Sequence, residues 1–205
     1  MKQDWTVDEI IGHFTLLEEE QEFIKSNAPH NKLGKALLLK FFQYEFRFPE
    51  DQSEIPRQAI DYIAQQLDLS PDIFESYNWY GRSIKTHRKD IREVLGFRPA
   101  TLSDQDSLHN WLLNEIIPGE HRPTYLEELT YSQLRELYIE PPSRKQINRL
   151  ITSAIYNHEQ RLFTQTSESL PAETKAQLRN LIQNTGELDE DLLVDADELL
   201  VHLGI

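Results

Sequence analysis

Apolar residues recur along most of the chain at three- and four-residue spacing, the period of a helix that buries one face. The clearest case is residues 31–46. Leu33, Ala36, Leu37, Phe41 and Tyr44 share a side there, and Leu38, Leu39 and Phe42 widen it. So broad an apolar face predicts a central core helix, closed by Arg47-Phe48-Pro49. Ala59, Ile60, Ile63, Ala64 and Leu67 form the face of the next helix, with Pro56 suited to its first turn. Upstream, Thr6 and Glu9 have capping-box spacing for a helix over residues 7–13, and Thr15 is placed to open a short acidic helix near residues 16–25.

Asp68-Leu69-Ser70-Pro71 is a tight break, followed by a short helix near residues 72–77 and a second break over 78–83. A basic helix is predicted for residues 84–95, with Gly96 suited to the left-handed position after it. Helix, short turn, helix and basic helix in this order form a tri-helical or helix-turn-helix signature. Residues 98–103 read as a domain boundary. Beyond it, Thr101 or Ser103 opens a helix over 104–117 with Leu108, Trp111, Leu112 and Ile116 inward, and Pro118-Gly119 ends it. Pro123 and Tyr125 start a connector or short helix, and residues 130–138 form another. Glu140-Pro141-Pro142 makes a rigid turn. Ser143 and Gln146 then have capping-box spacing for a long helix to about residue 163. A further helix is predicted over 170–183. The pattern implies an all-α fold: one helical module over residues 1–98, a second over 99–165 with a basic helix at 143–163, and a helical, acidic, Leu-rich tail over 166–205.

Composition narrows the function classes. The chain has 205 residues, no cysteine, and 35 acids against 21 Lys plus Arg, for a net charge of −14. Without cysteine there is no disulfide framework, iron–sulfur centre or Cys-ligated zinc. No apolar run approaches the ~18 residues of a membrane span, and Met1–Asp8 lacks the basic and apolar regions of a signal peptide. A cytoplasmic protein with no membrane partner is expected. The charge is distributed in blocks. Residues 1–80 carry a net −8, 81–98 a net +4, 99–140 a net −6, 141–161 a net +3 and 162–205 a net −7. Two short basic stretches thus stand in an acidic chain. At close range such local fields outweigh total charge, because salt screens distant charges over ~8–10 Å.

The first basic stretch places Lys85, Lys89 and Arg92 along one side of its helix at spacings of four and three, with Ile84, His87 or Arg88, Ile91 and Leu95 on the apolar side. Arg82 and Ser83 lie at the helix start, where open amides favour a phosphate. Such a ridge suits phosphate contacts from a helix in or beside a DNA groove. Tyr77 is expected in the core. Trp79 and Tyr80 remain open between core packing and stacking on bases. The second stretch puts Ser143, Arg144, Lys145, Asn148 and Arg149 in the first turns of a helix. In that position Asn148 suits adenine, and Arg144 or Arg149 suits guanine or phosphate. The plainer alternative for both stretches is a solvated helix with local ion pairs, such as Lys89 with Glu93. No catalytic constellation, metal site or cofactor site is expected. The seven His residues are scattered and the seven glycines unclustered, and there is neither a Walker loop nor a Gly-x-Ser-x-Gly element.

Four separated motifs carry a family resemblance. They are Phe14-Thr15-Leu16; Asn31-Lys32-Leu33-Gly34-Lys35-Ala36-Leu37 with Arg47-Phe48-Pro49; Ile60-Asp61-Tyr62-Ile63-Ala64-Gln65-Gln66-Leu67; and the run from Ile84 to Arg98. Over about residues 6–165 the chain resembles the amino-terminal region of Tn3-family transposases. The resemblance implies sequence-specific binding of double-stranded DNA, namely the transposon's terminal inverted repeats. It also implies that catalysis resides in a much later domain absent from this chain, so that the chain itself is not an enzyme. On that reading Arg82, Ser83, Lys85, His87, Arg88, Lys89 and Arg92 form one DNA-binding set, and Ser143, Arg144, Lys145, Asn148 and Arg149 a second. Further partners would be a second copy or the remaining transposase domains. The alternative, motivated by the acidic faces and the Leu-rich tail, is a protein-interaction or regulatory module that binds a transposase or competes with DNA.

Overall fold

Helix α1 (Val7–Phe14) starts at the expected cap. The Thr6 hydroxyl accepts from the Glu9 amide at 3.3 Å, and the Glu9 carboxylate accepts from the Thr6 amide at 2.8 Å. The computed structural model describes residues 5–25 and 28–184. The acidic, Leu-rich stretch of the expected tail, residues 187–205, lies outside them. Thr15 closes α1 rather than opening the next helix. Its hydroxyl donates back to the Ile11 carbonyl at 2.6 Å and lies 2.9 Å from the Tyr62 hydroxyl. Helix α2 (Glu18–Phe23) begins after Leu17, whose amide donates to the Glu20 carboxylate.

Helix α3 (Pro29–Glu45), with Pro29 in its first turn, is the core helix the apolar pattern predicts. Every residue from Leu33 to Phe42 is buried, Lys35 and Lys40 among them. A 3₁₀ turn (Gln52–Glu54) leads to α4 (Arg57–Gln66), a 3₁₀ helix (Pro71–Ser76) and the basic helix α5 (Arg82–Leu95). The middle element of the expected tri-helical pattern is therefore a 3₁₀ helix. Three residues per turn bring Phe74 and Tyr77 onto one side. Their rings stack at an interplanar angle of 12°, and both are buried. Gly96 ends α5 with a φ of +75°, a conformation that costs other residues a steric penalty, and the Phe97 amide reaches back to the Arg92 carbonyl at 2.8 Å.

Two compact units result. The first comprises the described residues of Met1–Thr101 together with Thr130–Arg144. Its core is α3 with the inward faces of α1, α4, the 3₁₀ helix and α5. Segment 130–144, which the linear reading assigns to the second module, packs with the first. A two-residue parallel ladder pairs β1 (Arg98–Pro99) with β2 (Ile139–Glu140), and Arg135 lies over the Phe46 ring at 3.9 Å. These contacts join residues about forty or more positions apart, which no local pattern shows.

The second unit comprises Leu102–Leu129 and the described residues from Lys145 onward. Helix α6 (Leu102–Trp111) passes into a π-helical turn (Leu112–Ile116), with the Ile117 amide bonded to the Leu112 carbonyl at 2.9 Å. The extra residue in that turn shifts the inward phase by one. Leu112, Leu113 and Ile117 are buried, while Trp111 and Ile116 are only half-buried. Helix α7 (Pro123–Glu136) is continuous where the sequence predicted a connector and a separate short helix. Its inward stripe includes buried Thr130 between Leu126 and Leu134, and a polar residue there reads as an interruption. Helix α8 (Arg144–Ser169) outlasts its expected end by six residues, and α9 (Ala172–Asn184) follows.

Candidate nucleic-acid interface

Helix α5 is amphipathic in the way its spacing implies. Ile84, His87 and Ile91 are buried, and Arg82, Lys85 and Lys89 stand exposed on the other side. Among the described residues, Arg82 and Lys85 have no side-chain partner. Lys89 lies 3.6 Å from Glu93, with both side chains about two-thirds exposed. Such a surface pair is worth little and is readily exchanged for another anion. Ser83 is half-buried in the first turn of α5.

The other three basic members of the expected DNA-binding set, Arg92 of the ridge and His87 and Arg88 beside it, are occupied internally. His87 is buried, and its Nδ1 shares a hydrogen bond with the Tyr77 hydroxyl at 2.8 Å. Burial, then nearby Lys35, pushes the His87 pKa down to about 4 against the opposing pull of Asp90, so the imidazole is neutral at pH 7. Burial likewise raises the Tyr77 pKa. Arg88 is half-buried. It donates to the Pro49 carbonyl at 2.7 Å and lies over the Phe48 ring, where burial works against its charge. Arg92 forms an ion pair with Glu140 at 2.7 Å, with 19% and 18% of the two side chains exposed. The structure therefore brings Arg82, Lys85 and Lys89 together on an open face and draws His87, Arg88 and Arg92 away from it.

The turn before α5 resolves the aromatic residues left open by sequence. Trp79 is half-buried and meets Phe74 and Tyr77 edge-on at 6.1 and 5.8 Å. Tyr80 is 91% exposed. Its amide donates to the Asn78 side-chain oxygen at 3.0 Å. A Cβ on Gly81 would come within 2.8 Å of the Asn78 amide group, so a larger residue there would displace the exposed Asn78 side chain.

In α8, Ile147, Ile151 and Ala154 are buried at helical spacing, which leaves Lys145, Asn148 and Arg149 exposed. Those three belong to the second unit, whereas exposed Ser143 and Arg144 belong to the first. The Arg144 amide donates to the Glu50 carboxylate at 3.3 Å. Within the second unit Arg149 borders a polar cleft of about 380 Å³ with Gln105, Asp106, His109, Gln146, Leu150 and Ser153. Gln105 and Asp106 were not singled out by sequence, since nothing local brings α6 beside the start of α8. Among the described residues no cluster of three or more His, Asp or Glu side chains is arranged to hold a metal ion, and no helix is long and apolar enough to cross a membrane.

Residues 1–154 match the family described as a domain of unknown function, DUF4158. The chain is also similar to transposases. It is 27% identical over 188 residues to the transposase for transposon Tn1546 of Enterococcus faecium, an alignment that covers 90% of this chain and 19% of that protein. It is 24% identical to the transposase for transposon Tn21 of Escherichia coli, over 86% of this chain and 18% of that protein. The same identity and coverage hold for the transposase for transposon Tn501 of Pseudomonas aeruginosa. The chain thus spans about a fifth of the length of the curated relatives it matches. Matched over three-quarters of its length, the chain belongs to the DUF4158 family, and the Tn3-family transposase resemblance read from its separated motifs is borne out by these relatives.

Proposed function

We propose that this chain acts in transposition by binding double-stranded DNA at a transposon's terminal inverted repeats, and we assign no catalytic step to its residues. The observation that carries this is the row Arg82, Lys85 and Lys89 on the open face of α5, a local positive field in a chain of net charge −14. Those side chains neutralise phosphates. Within the second unit, Lys145, Asn148 and Arg149 supply a second reader. Asn148 and Arg149, in the early turns of α8, have the side-chain chemistry that distinguishes adenine and guanine edges. The similarity to transposases supports the same partner.

Duplexes enriched from a random pool by the wild-type chain provide the site. Lys85→Ala/Lys89→Ala then weakens binding and flattens the dependence of log affinity on log salt by nearly two units, since each phosphate contact contributes a slope of ~0.9. Unchanged affinity and slope in this double variant would remove α5 from the interface. Val7 and Ile11, exposed one turn apart on α1, favour a second reading in which the first unit binds a protein such as a transposase. Failure to enrich any duplex, with self-association or transposase capture instead, would support that reading.

A further inference from the structure

We infer that Tyr80 is a DNA-contact residue, whose ring packs against a deoxyribose and base edge on the strand that Arg82 and Lys85 hold by its phosphates. The inference rests on the DNA-binding reading of α5 and adds to it a residue outside the two basic sets. Three aromatic side chains precede α5, and the fold treats them differently. Tyr77 is buried against His87, Trp79 is packed on Phe74 and Tyr77, and Tyr80 is left 91% exposed, the most exposed of the large apolar side chains described. Lone exposed apolar residues are ordinary. This one differs in how its backbone is held and in what lies beside it.

Its amide donates to the Asn78 side-chain oxygen at 3.0 Å, and the following Gly81 amide donates to the Asn78 carbonyl at 3.3 Å, closing the turn. The backbone that carries the ring is therefore set before any ligand arrives, which lowers the ordering cost of a contact. Two residues on, Arg82 starts the exposed cationic row. An aromatic ring next to a phosphate-binding row is the pairing that proteins use to follow a nucleic-acid strand, the charges tracking the backbone and the ring meeting sugar or base. Tyr80 makes no charge contact, so it contributes affinity without counterion release.

That difference sets the test. Wild type, Tyr80→Ala, Tyr80→Phe and Lys85→Ala/Lys89→Ala are titrated against the enriched duplex at several salt concentrations, and their melting temperatures are compared. Tyr80→Ala weakens binding about tenfold, the scale of burying part of one aromatic ring against sugar and base edge, with an unchanged salt slope and an unchanged melting temperature. Tyr80→Phe stays within about twofold of wild type. Binding by Tyr80→Ala within twofold of wild type, while the lysine double variant is weakened, would overturn the inference and leave the α5 reading standing. A loss in Tyr80→Phe equal to that in Tyr80→Ala would overturn ring packing in favour of a hydroxyl contact. Absence of any enriched duplex, or full binding by the lysine double variant, would overturn the parent reading and this inference with it.

Discussion

Gly34 and Tyr77 meet so closely that a Cβ on Gly34 would lie 2.4 Å from the Tyr77 ring carbons. The ring cannot move aside easily, because it is stacked on Phe74 and His87 and hydrogen-bonded to the latter. Gly34→Ala should therefore destabilise the protein by about 1–3 kcal/mol despite the better helix propensity of alanine, as read by urea denaturation. His87, on the other side of Tyr77, makes stability depend on pH. In the unfolded chain the imidazole takes up a proton as pH falls through about 6.5, whereas in the fold it stays neutral until about 4. Between those values the unfolded state binds more protons. The His87 contribution is thus complete above about pH 6.5, declines as pH falls and is lost below about pH 4, amounting to at most about 3 kcal/mol. His87→Gln should flatten the urea-midpoint profile between pH 4 and 6.5. An unaltered profile would place the titrating group elsewhere. Lys35 shows how a charged residue enters the same core: its ammonium pairs with Asp90 at 2.9 Å and lies over the Phe23 ring at 4.0 Å.

At the scale of elements, the end of α5 is tied to the strand that precedes α8. Arg92 meets Glu140, β1 pairs with β2, and the Arg98 amide donates to the Tyr138 carbonyl at 3.0 Å. Arg92 is thereby paired within the fold. A double-mutant cycle over Arg92→Ala and Glu140→Ala should give a coupling of about 0.5–3 kcal/mol in unfolding free energy. Arg92→Ala should also leave the salt slope of DNA binding unchanged, in contrast to the Lys85/Lys89 pair. A slope lower by about one unit would instead make Arg92 a phosphate contact. A similar device holds α2 to α3. Lys40 and Glu20 pair at 2.7 Å with 7% and 12% of their side chains exposed; burial pushes the Glu20 pKa up, but the hydrogen bonds of Lys40, the Leu17 amide and Gln43 together hold it below the usual carboxylate value. The two buried lysines of the core helix, Lys35 and Lys40, are thus paired within the fold and add little to the surface field.

Over the whole molecule, charge sets the regime in which any DNA contact operates. A net −14 repels a polyanion at long range, while Arg82, Lys85 and Lys89 attract it at contact. Salt therefore acts in two opposing ways, screening the distant repulsion and competing for the phosphates. The slope measured for Lys85→Ala/Lys89→Ala isolates the second effect, because both proteins otherwise carry the same background. The two basic groups also fall largely in different units, so substitutions at Lys85/Lys89 and at Asn148/Arg149 should combine additively in binding free energy.

The sequence by itself determined the helices and the polarity of their faces. The α1 capping box, the buried run of α3, the amphipathic α5 and its Gly96 stop are all written within a few residues of where they act. Helix formation and capping are local, so periodicity and cap chemistry suffice to read them. The 3₁₀ helix, the π-helical turn and the continuity of α7 were not legible, because packing against distant elements selects them. The same holds for the candidate site. Lys85 and Lys89 differ from Arg88 and Arg92 chiefly in what lies opposite. The Pro49 carbonyl and the Glu140 carboxylate, 39 and 48 residues away in the chain, take up the two arginines. Only the tertiary structure decided which cations face water and which of three neighbouring aromatics stands outside, because an ion pair or a buried ring is a property of two surfaces brought together.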